Sequence, residues 1–304
     1  MKKIIVWSVC FILGGSLMAA DQSKSIAGAT EETPYVNSLG MKFVPVPGTK
    51  VLFSIWDTRV EDFRAYAQEA GYVQSGGIYV MKVEKTDSGG YSLKWELDKD
   101  ASWENPGFKQ GEVHPVVGVR WDEANAFCAW LTEKERKAGK IGQDQEYRLP
   151  TDEEWSAAVG ETKYPWGNDW PPPEGAGNYA DDAFVARMPG TGWSQVPGND
   201  GYARTSPVGS FKANGLGLYD MGGNVCQWCK DWYRSAMNEQ AVLDKYPEMK
   251  NDGGGQLYRV VRGASWNFNF PERLLSSNRS DVPPGYRGDY RGFRCVLVSG
   301  LSSR

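Results

Sequence analysis

The sequence predicts a loop-rich fold of short strands and a few short helices around a substantial core. Three observations carry that expectation. Glycine (36) and proline (17) together make up roughly a sixth of the 304 residues, which disfavours a helical bundle. The hydrophobic fraction is 40%, with 13 Trp and 15 Tyr, enough apolar surface for a core. The periodic segments are short and bounded by turn residues. A chain of this length makes one large domain or two small ones.

Taken in order, Lys2-Lys3 precede an apolar stretch from Ile4 to Leu17, then Met18-Ala19-Ala20-Asp21. This is the layout of a secretory signal peptide over residues 1–20, too short to span a membrane comfortably. Cys10 lies inside the apolar run, so no clear lipobox indicates membrane attachment. Residues 21–34 are polar and read as a leader, with a globular domain over 35–304. Met41–Val46 and Val51–Ile55 read as strands joined at Pro47-Gly48. A helix follows, with Thr58 and Glu61 as a capping box, Val60, Phe63, Ala67 and Ala70 on one face, and Gly71 to end it. Ile78–Glu84 and Tyr91–Leu97 alternate apolar and polar residues around Ser88-Gly89-Gly90, a hairpin signal. A second helix covers about 122–137, with Ala124, Phe127, Cys128 and Leu131 on one stripe. A third, capped by Thr151 with Glu154, runs to Gly160. From Lys163 to Asp220 the chain is mostly loop, to be held by packed Trp residues or by a cation on its Asn and Asp oxygens.

Composition excludes several functions. A net charge of −4 and a pI near 5.3 argue against nucleic acid as a partner. The single histidine, His114, rules out a two-His iron triad, a His-rich zinc site and most copper sites. No nucleophile-elbow sequence accompanies it. Four cysteines follow the signal segment: Cys128, Cys226, Cys229 and Cys295. Cys226-x-x-Cys229 lacks the second pair a zinc site needs and the βαβ context of thiol redox chemistry. Buried thiols, a Cys229–Cys295 bridge and a Cys128–Cys295 bridge all remain open.

The C-terminal stretch Arg259–Val298 organises the rest. Two apolar runs, Val260-Val261 and Cys295–Val298, read as buried strands. Between them lies an irregular segment too aromatic to be disordered. From Arg259 to Arg294 it carries seven arginines and no lysine against Glu272, Asp281 and Asp289, a local charge of +4. Arginine stacks on rings and grips carboxylates with two parallel hydrogen bonds. Arg262 and Arg294, next to the strands, are expected to pair with buried carboxylates or carbonyls.

Several segments together, NSLGMKFVPVPG, HPVVGVRWDEANAFCAWL, YRLPTDEEWSAA, YPWGN, GLYDMGGNVCQWCKDWY, RVVRGASW and GFRCV, resemble the formylglycine-generating enzyme (sulfatase-modifying factor) family. The resemblance implies that family's α+β variant of the C-type lectin fold, loop-rich, poor in regular structure and stabilised by calcium. Its first calcium set matches Asn178, Tyr179, Asp200 and Tyr202. Its second matches Asp220, Gly223, Val225 and Gln227, where Gln227 replaces a Glu and removes one negative charge. Active members bind copper(I) through two cysteines after the Gly-Ser-aromatic motif. Those positions fall here at Phe268 and near Arg273, which offer no thiolate. Copper, iron and zinc are therefore not expected. The ending also resembles the variable proteins of diversity-generating retroelements, which display a variable surface before a final GFR strand.

The expected function is that of an exported, non-catalytic ligand-binding protein, periplasmic, secreted or on the cell surface. Its partner would be a protein or other surface ligand. Binding is assigned to Trp266, Phe268, Phe270, Arg273, Tyr286, Arg287, Asp289 and Tyr290, expected on one exposed face. The alternatives are an oxidase or sulfatase-maturation factor acting on protein cysteine, and an interaction subunit of an exported sulfatase system.

Overall fold

The apolar runs near the two ends of the chain meet in one sheet. The computed structural model describes residues 26–87, 89–187, 195–233 and 258–298. Tyr35–Val36 (β1), Lys42–Pro45 (β2) and Val51–Ser54 (β3) form an antiparallel meander. Val296–Val298 (β11) lies beside β3 and is flanked on its other side by Glu146–Arg148 (β6), antiparallel to both. The order is β1-β2-β3-β11-β6. Phe43, Phe53, Val296 and Leu297 are all buried, and since neighbours Val296 and Leu297 point to opposite faces, the centre of this sheet is covered on both sides.

A second sheet carries the C-terminal segment. Cys226–Trp232 (β7) pairs antiparallel with Arg259–Arg262 (β8), β8 with Arg279–Val282 (β9), and Arg291–Gly292 (β10) runs parallel to β7. Strand β9 has no counterpart in the sequence reading, because Arg-Ser-Asp-Val contains no apolar run. The expected hairpin forms as Ile78–Lys85 (β4) and Tyr91–Asp98 (β5), with Ile78 opposite Asp98 and Lys85 opposite Tyr91. Ser88 of its turn lies outside the described residues.

Three helices match those expected, the first with its cap shifted. Val60–Ala70 (α1) starts from Arg59, whose N–H donates to Asp62 Oδ2 at 3.0 Å, and not from the Thr58/Glu61 pair. Thr58 is already committed to the core. Its N–H donates to the Phe293 carbonyl and its carbonyl accepts from Val116 N–H, both at 2.9 Å. Ala70 is exposed, so the buried face ends at Ala67, and Gly71 closes the helix at φ 65°. Trp121–Lys137 (α2) buries Ala124, Phe127, Cys128 and Leu131 as expected. Asp152–Val159 (α3) keeps the Thr151/Glu154 box, with Glu154 N–H donating to Thr151 Oγ1 at 3.1 Å and Thr151 N–H to Glu154 Oε2 at 2.8 Å. The long loop contains one short helix, Asp182–Arg187 (α4). Aromatics brace that loop, with Tyr164 and Trp166 stacked at 4.7 Å.

The core begins inside the polar leader. Ile26 and Ala29 pack into the main cluster, while residues 1–25, including the expected signal segment, lie outside the described residues. Among the described residues no helix is long and apolar enough to cross a membrane. All four thiols are buried and free. Cys128 Sγ and Cys295 Sγ sit 3.4 Å apart, whereas Cys229 belongs to a separate cluster. Arg262 pairs with Asp152 and donates to the Ser276 carbonyl at 3.0 Å. Arg294 is wholly buried, donating to Gln227 Oε1 (2.8 Å), the Ser54 carbonyl (3.0 Å) and the Tyr219 carbonyl (2.7 Å), with Asp57 at 3.5 Å.

Candidate functional site

The segment between β8 and β11 has few ladder hydrogen bonds, so side chains must hold it down. This corrects the placement of all eight binding candidates on one exposed face. Trp266 is fully buried between Phe108 and Phe184, with the Arg204 guanidinium 4.4 Å over its ring. Arg287 is buried and its Nε donates to Glu123 Oε2 at 3.1 Å, while Tyr72 donates to Glu123 Oε1 at 2.7 Å. Asp289 accepts from Met81 N–H at 2.9 Å, 3.7 Å from Arg204 Nη1. Its burial pushes its pKa up to about 6 despite that arginine. Arg287 and Asp289 tie the segment to α2 and β4, Trp266 packs it on Phe108 and Phe184, and all three are out of a ligand's reach. Tyr290 is largely buried, Tyr286 and Phe268 are half-buried, and only Phe270 (52% exposed) and Arg273 stand clear.

What remains accessible forms a surface groove of about 400 Å³. Its walls are Trp95, Phe268, Phe270 and Tyr290, with Arg273 and Arg291 between them. The Trp95 and Tyr290 rings meet edge to face at 5.7 Å, joining the hairpin to the C-terminal segment. Arg273 lies 5.9 Å over Phe268, and Arg291 stacks on both Tyr286 (4.5 Å) and Tyr290 (4.3 Å). The sequence reading missed Trp95 and Arg291. Trp95 carried only a strand signal, 171 positions before Trp266. Arg291 showed no feature separating it from the structural arginines around it. A larger cleft of about 630 Å³, near Pro47, Trp166 and Leu216, contains none of the predicted binding residues.

The two calcium sets behave differently. In the first, Asn178 Oδ1 is buried and makes no hydrogen bond. The Asp200 carboxylate accepts from Tyr179 N–H and Tyr202 N–H, both at 2.8 Å. Burial, offset in part by those hydrogen bonds and reinforced by Asp181, pushes its pKa up to about 7. A buried hard oxygen without a donor, in one set with a carboxylate that makes no ion pair among the described residues, fits a calcium ion. The second set does not fit. Gln227 Oε1 already accepts from Trp155 Nε1 and Arg294 Nε, each at 2.8 Å, and Gln227 Nε2 donates to the Asp220 carbonyl at 3.1 Å. Cation and amide have closed that position. Among the described residues no cluster of three His, Cys, Asp or Glu is found, so a metal here would rest largely on amide and carbonyl oxygens.

The model of the sulfatase-modifying factor enzyme 1-like domain matches residues 11–298. The chain belongs to that family. Formylglycine-generating enzyme of Streptomyces coelicolor is 28% identical over 276 residues, covering 83% of this chain and 80% of that protein. A bovine protein named inactive C-alpha-formylglycine-generating enzyme 2 is 29% identical over 266 residues, covering 79% and 74%. The solved structure of PvdO from Pseudomonas aeruginosa shares the fold, with a TM-score of 0.51 at 23% identity over 81% of this chain and 80% of that one. For this sulfatase-modifying factor domain, the α+β architecture matches what its motifs imply. Phe268 and Arg273, at and near which the family resemblance puts the copper-binding cysteines of active members, both line the 400 Å³ groove.

Proposed function

We propose that this chain is an exported, non-catalytic member of the sulfatase-modifying factor family that binds a ligand in its C-terminal groove. One observation carries the proposal. Where active members would place two thiolates, this groove holds an aromatic ring and a guanidinium, neither able to bind copper(I). The Cys226 thiol, on the strand paired with β10, is buried, and burial pushes its pKa up to about 11, so it offers no thiolate at neutral pH. Apart from Trp95, the lining of the groove lies between β8 and Gly292-Phe293-Arg294, where the resemblance to variable proteins puts their displayed surface. Purified protein given copper(I) and a sulfatase-type cysteine peptide is expected to yield no aldehyde product by mass spectrometry. Aldehyde formation that persisted in a Cys226→Ser, Cys229→Ser, Cys295→Ser variant would overturn the proposal.

Calcium is proposed at the first set alone, on Asn178 and Asp200 with the carbonyls of Tyr179 and Tyr202. A cation bound only by the folded state raises stability by mass action. Chelation with EDTA is expected to lower the melting temperature, and added calcium to restore it. An unchanged melting curve with no calcium detected by elemental analysis would rule this out.

A further inference from the structure

The groove's charge narrows its ligand. Of the seven arginines between Arg259 and Arg294, five are committed to the protein itself. Arg259 stacks between Trp121 and Trp232 and donates to the Lys230 carbonyl. Arg262 and Arg279 share Asp152, Arg287 holds Glu123, and Arg294 is enclosed with Asp57 and Gln227. The other two, Arg273 and Arg291, make no ion pair among the described residues, and both line the groove. Arg291 Nε and Nη1 are shielded from solvent and have no hydrogen-bond acceptor. A guanidinium stacked on two tyrosine rings, with two of its nitrogens lacking an acceptor, is oriented but only partly satisfied. Asp281 is the one carboxylate lining the groove, so its charge stays positive in a protein of net charge −4.

The backbone beside the groove favours a polypeptide over a sugar or a free anion. Trp95 belongs to β5, and among the described residues β5 pairs with β4 alone. The free edge of β5 and the Trp95 side chain in the groove give an extended peptide a strand to pair with beside the site. We propose that the groove binds an extended acidic peptide segment, whose carboxylate sits between Arg273 and Arg291 while a neighbouring apolar side chain packs on Phe268 and Phe270. This rests on the binding-protein reading and adds the chemical class of the partner.

The test is selection of binders from a library of random displayed peptides on the immobilised full chain, followed by titration of the recovered peptides in solution. Recovered peptides are expected to carry Asp or Glu beside an apolar residue. Replacing that acid by its amide should weaken binding about tenfold, as should Arg273→Gln, a substitution at an exposed side chain that should leave the melting temperature unchanged. In Arg273→Gln the acid and amide peptides should differ much less than in the parent. Arg291→Lys, which keeps the charge and loses the fork, should weaken the acidic peptide specifically. Equal binding of acid and amide peptides overturns the anion assignment and leaves the binding-protein reading standing. Binding of a polyuronate or heparin, lost in Phe270→Ala, with no peptide recovered, overturns the peptide assignment alone. No binder of either kind at the groove overturns both.

Discussion

Replacing Arg294 by methionine is expected to lower the melting temperature by on the order of 10 °C, from about 3–5 kcal/mol of lost stability. Among the described residues Arg294 is the only cation paired with Asp57, its charge also acts on Asp220, and all three are buried. Both Asp57 carboxylate oxygens and Asp220 Oδ1 lack hydrogen-bond donors. Burial already pushes the Asp57 carboxyl well up and that of Asp220 up to about 6, even with the guanidinium present. The sign of the pH effect follows. A raised native pKa means that the folded state holds its proton where the unfolded chain has released it, so stability falls as pH rises from about 4 through the raised value. Without Arg294 that fall should steepen and extend to higher pH. The deficit of Arg294→Met should therefore be largest at neutral pH and shrink toward pH 4. Thermal melts across this range check it, and a deficit independent of pH would disprove the electrostatic account. Arg294→Lys should recover part of the loss, since a single ammonium cannot serve Gln227, Ser54 and Tyr219 together.

Trp266→Ala should cost about 3–5 kcal/mol, the usual range for deleting a fully buried indole. Its ring fills the space under the groove, and its Nε1 donates to the Asp289 carbonyl at 3.3 Å. The cavity would loosen both the aromatic floor and the Asp289 anchor to Met81. Phe270→Ala, four residues on at an exposed position, should change stability by less than about 0.5 kcal/mol. Denaturant unfolding of the two variants side by side tests the division of this segment into floor and rim. Comparable melting of both would contradict it.

Local signals were legible where periodicity and caps had only one use. The hairpin, the α2 stripe and the Thr151/Glu154 box all follow from short-range chemistry. The α1 cap moved by one residue because Thr58 spends its backbone on Phe293 and Val116, partners about 235 and 58 residues away that no local pattern announces. Strand β9 was invisible because a ladder, not an apolar run, holds Arg-Ser-Asp-Val in place. The same limit applied to the C-terminal segment. Its arginines and rings marked it as special, but an irregular chain has no period from which to tell inside from outside. Phe268, Phe270, Arg273 and Tyr290 reached the groove, while Trp266, Arg287 and Asp289 became its supports.

The position of β11 bears on how the molecule assembles. Val296–Val298 is an interior strand, seated between segments near residues 52 and 147. The first sheet thus stays split, with β6 detached from β3, until the polypeptide has been synthesised almost to residue 300. Pairings of such high contact order are slow to form, because a long loop must close before any contact repays its entropy. A nascent chain emerging residue by residue therefore cannot lock its core early. A chain that stays open until its last strand arrives keeps its apolar segments available to chaperones for most of its synthesis.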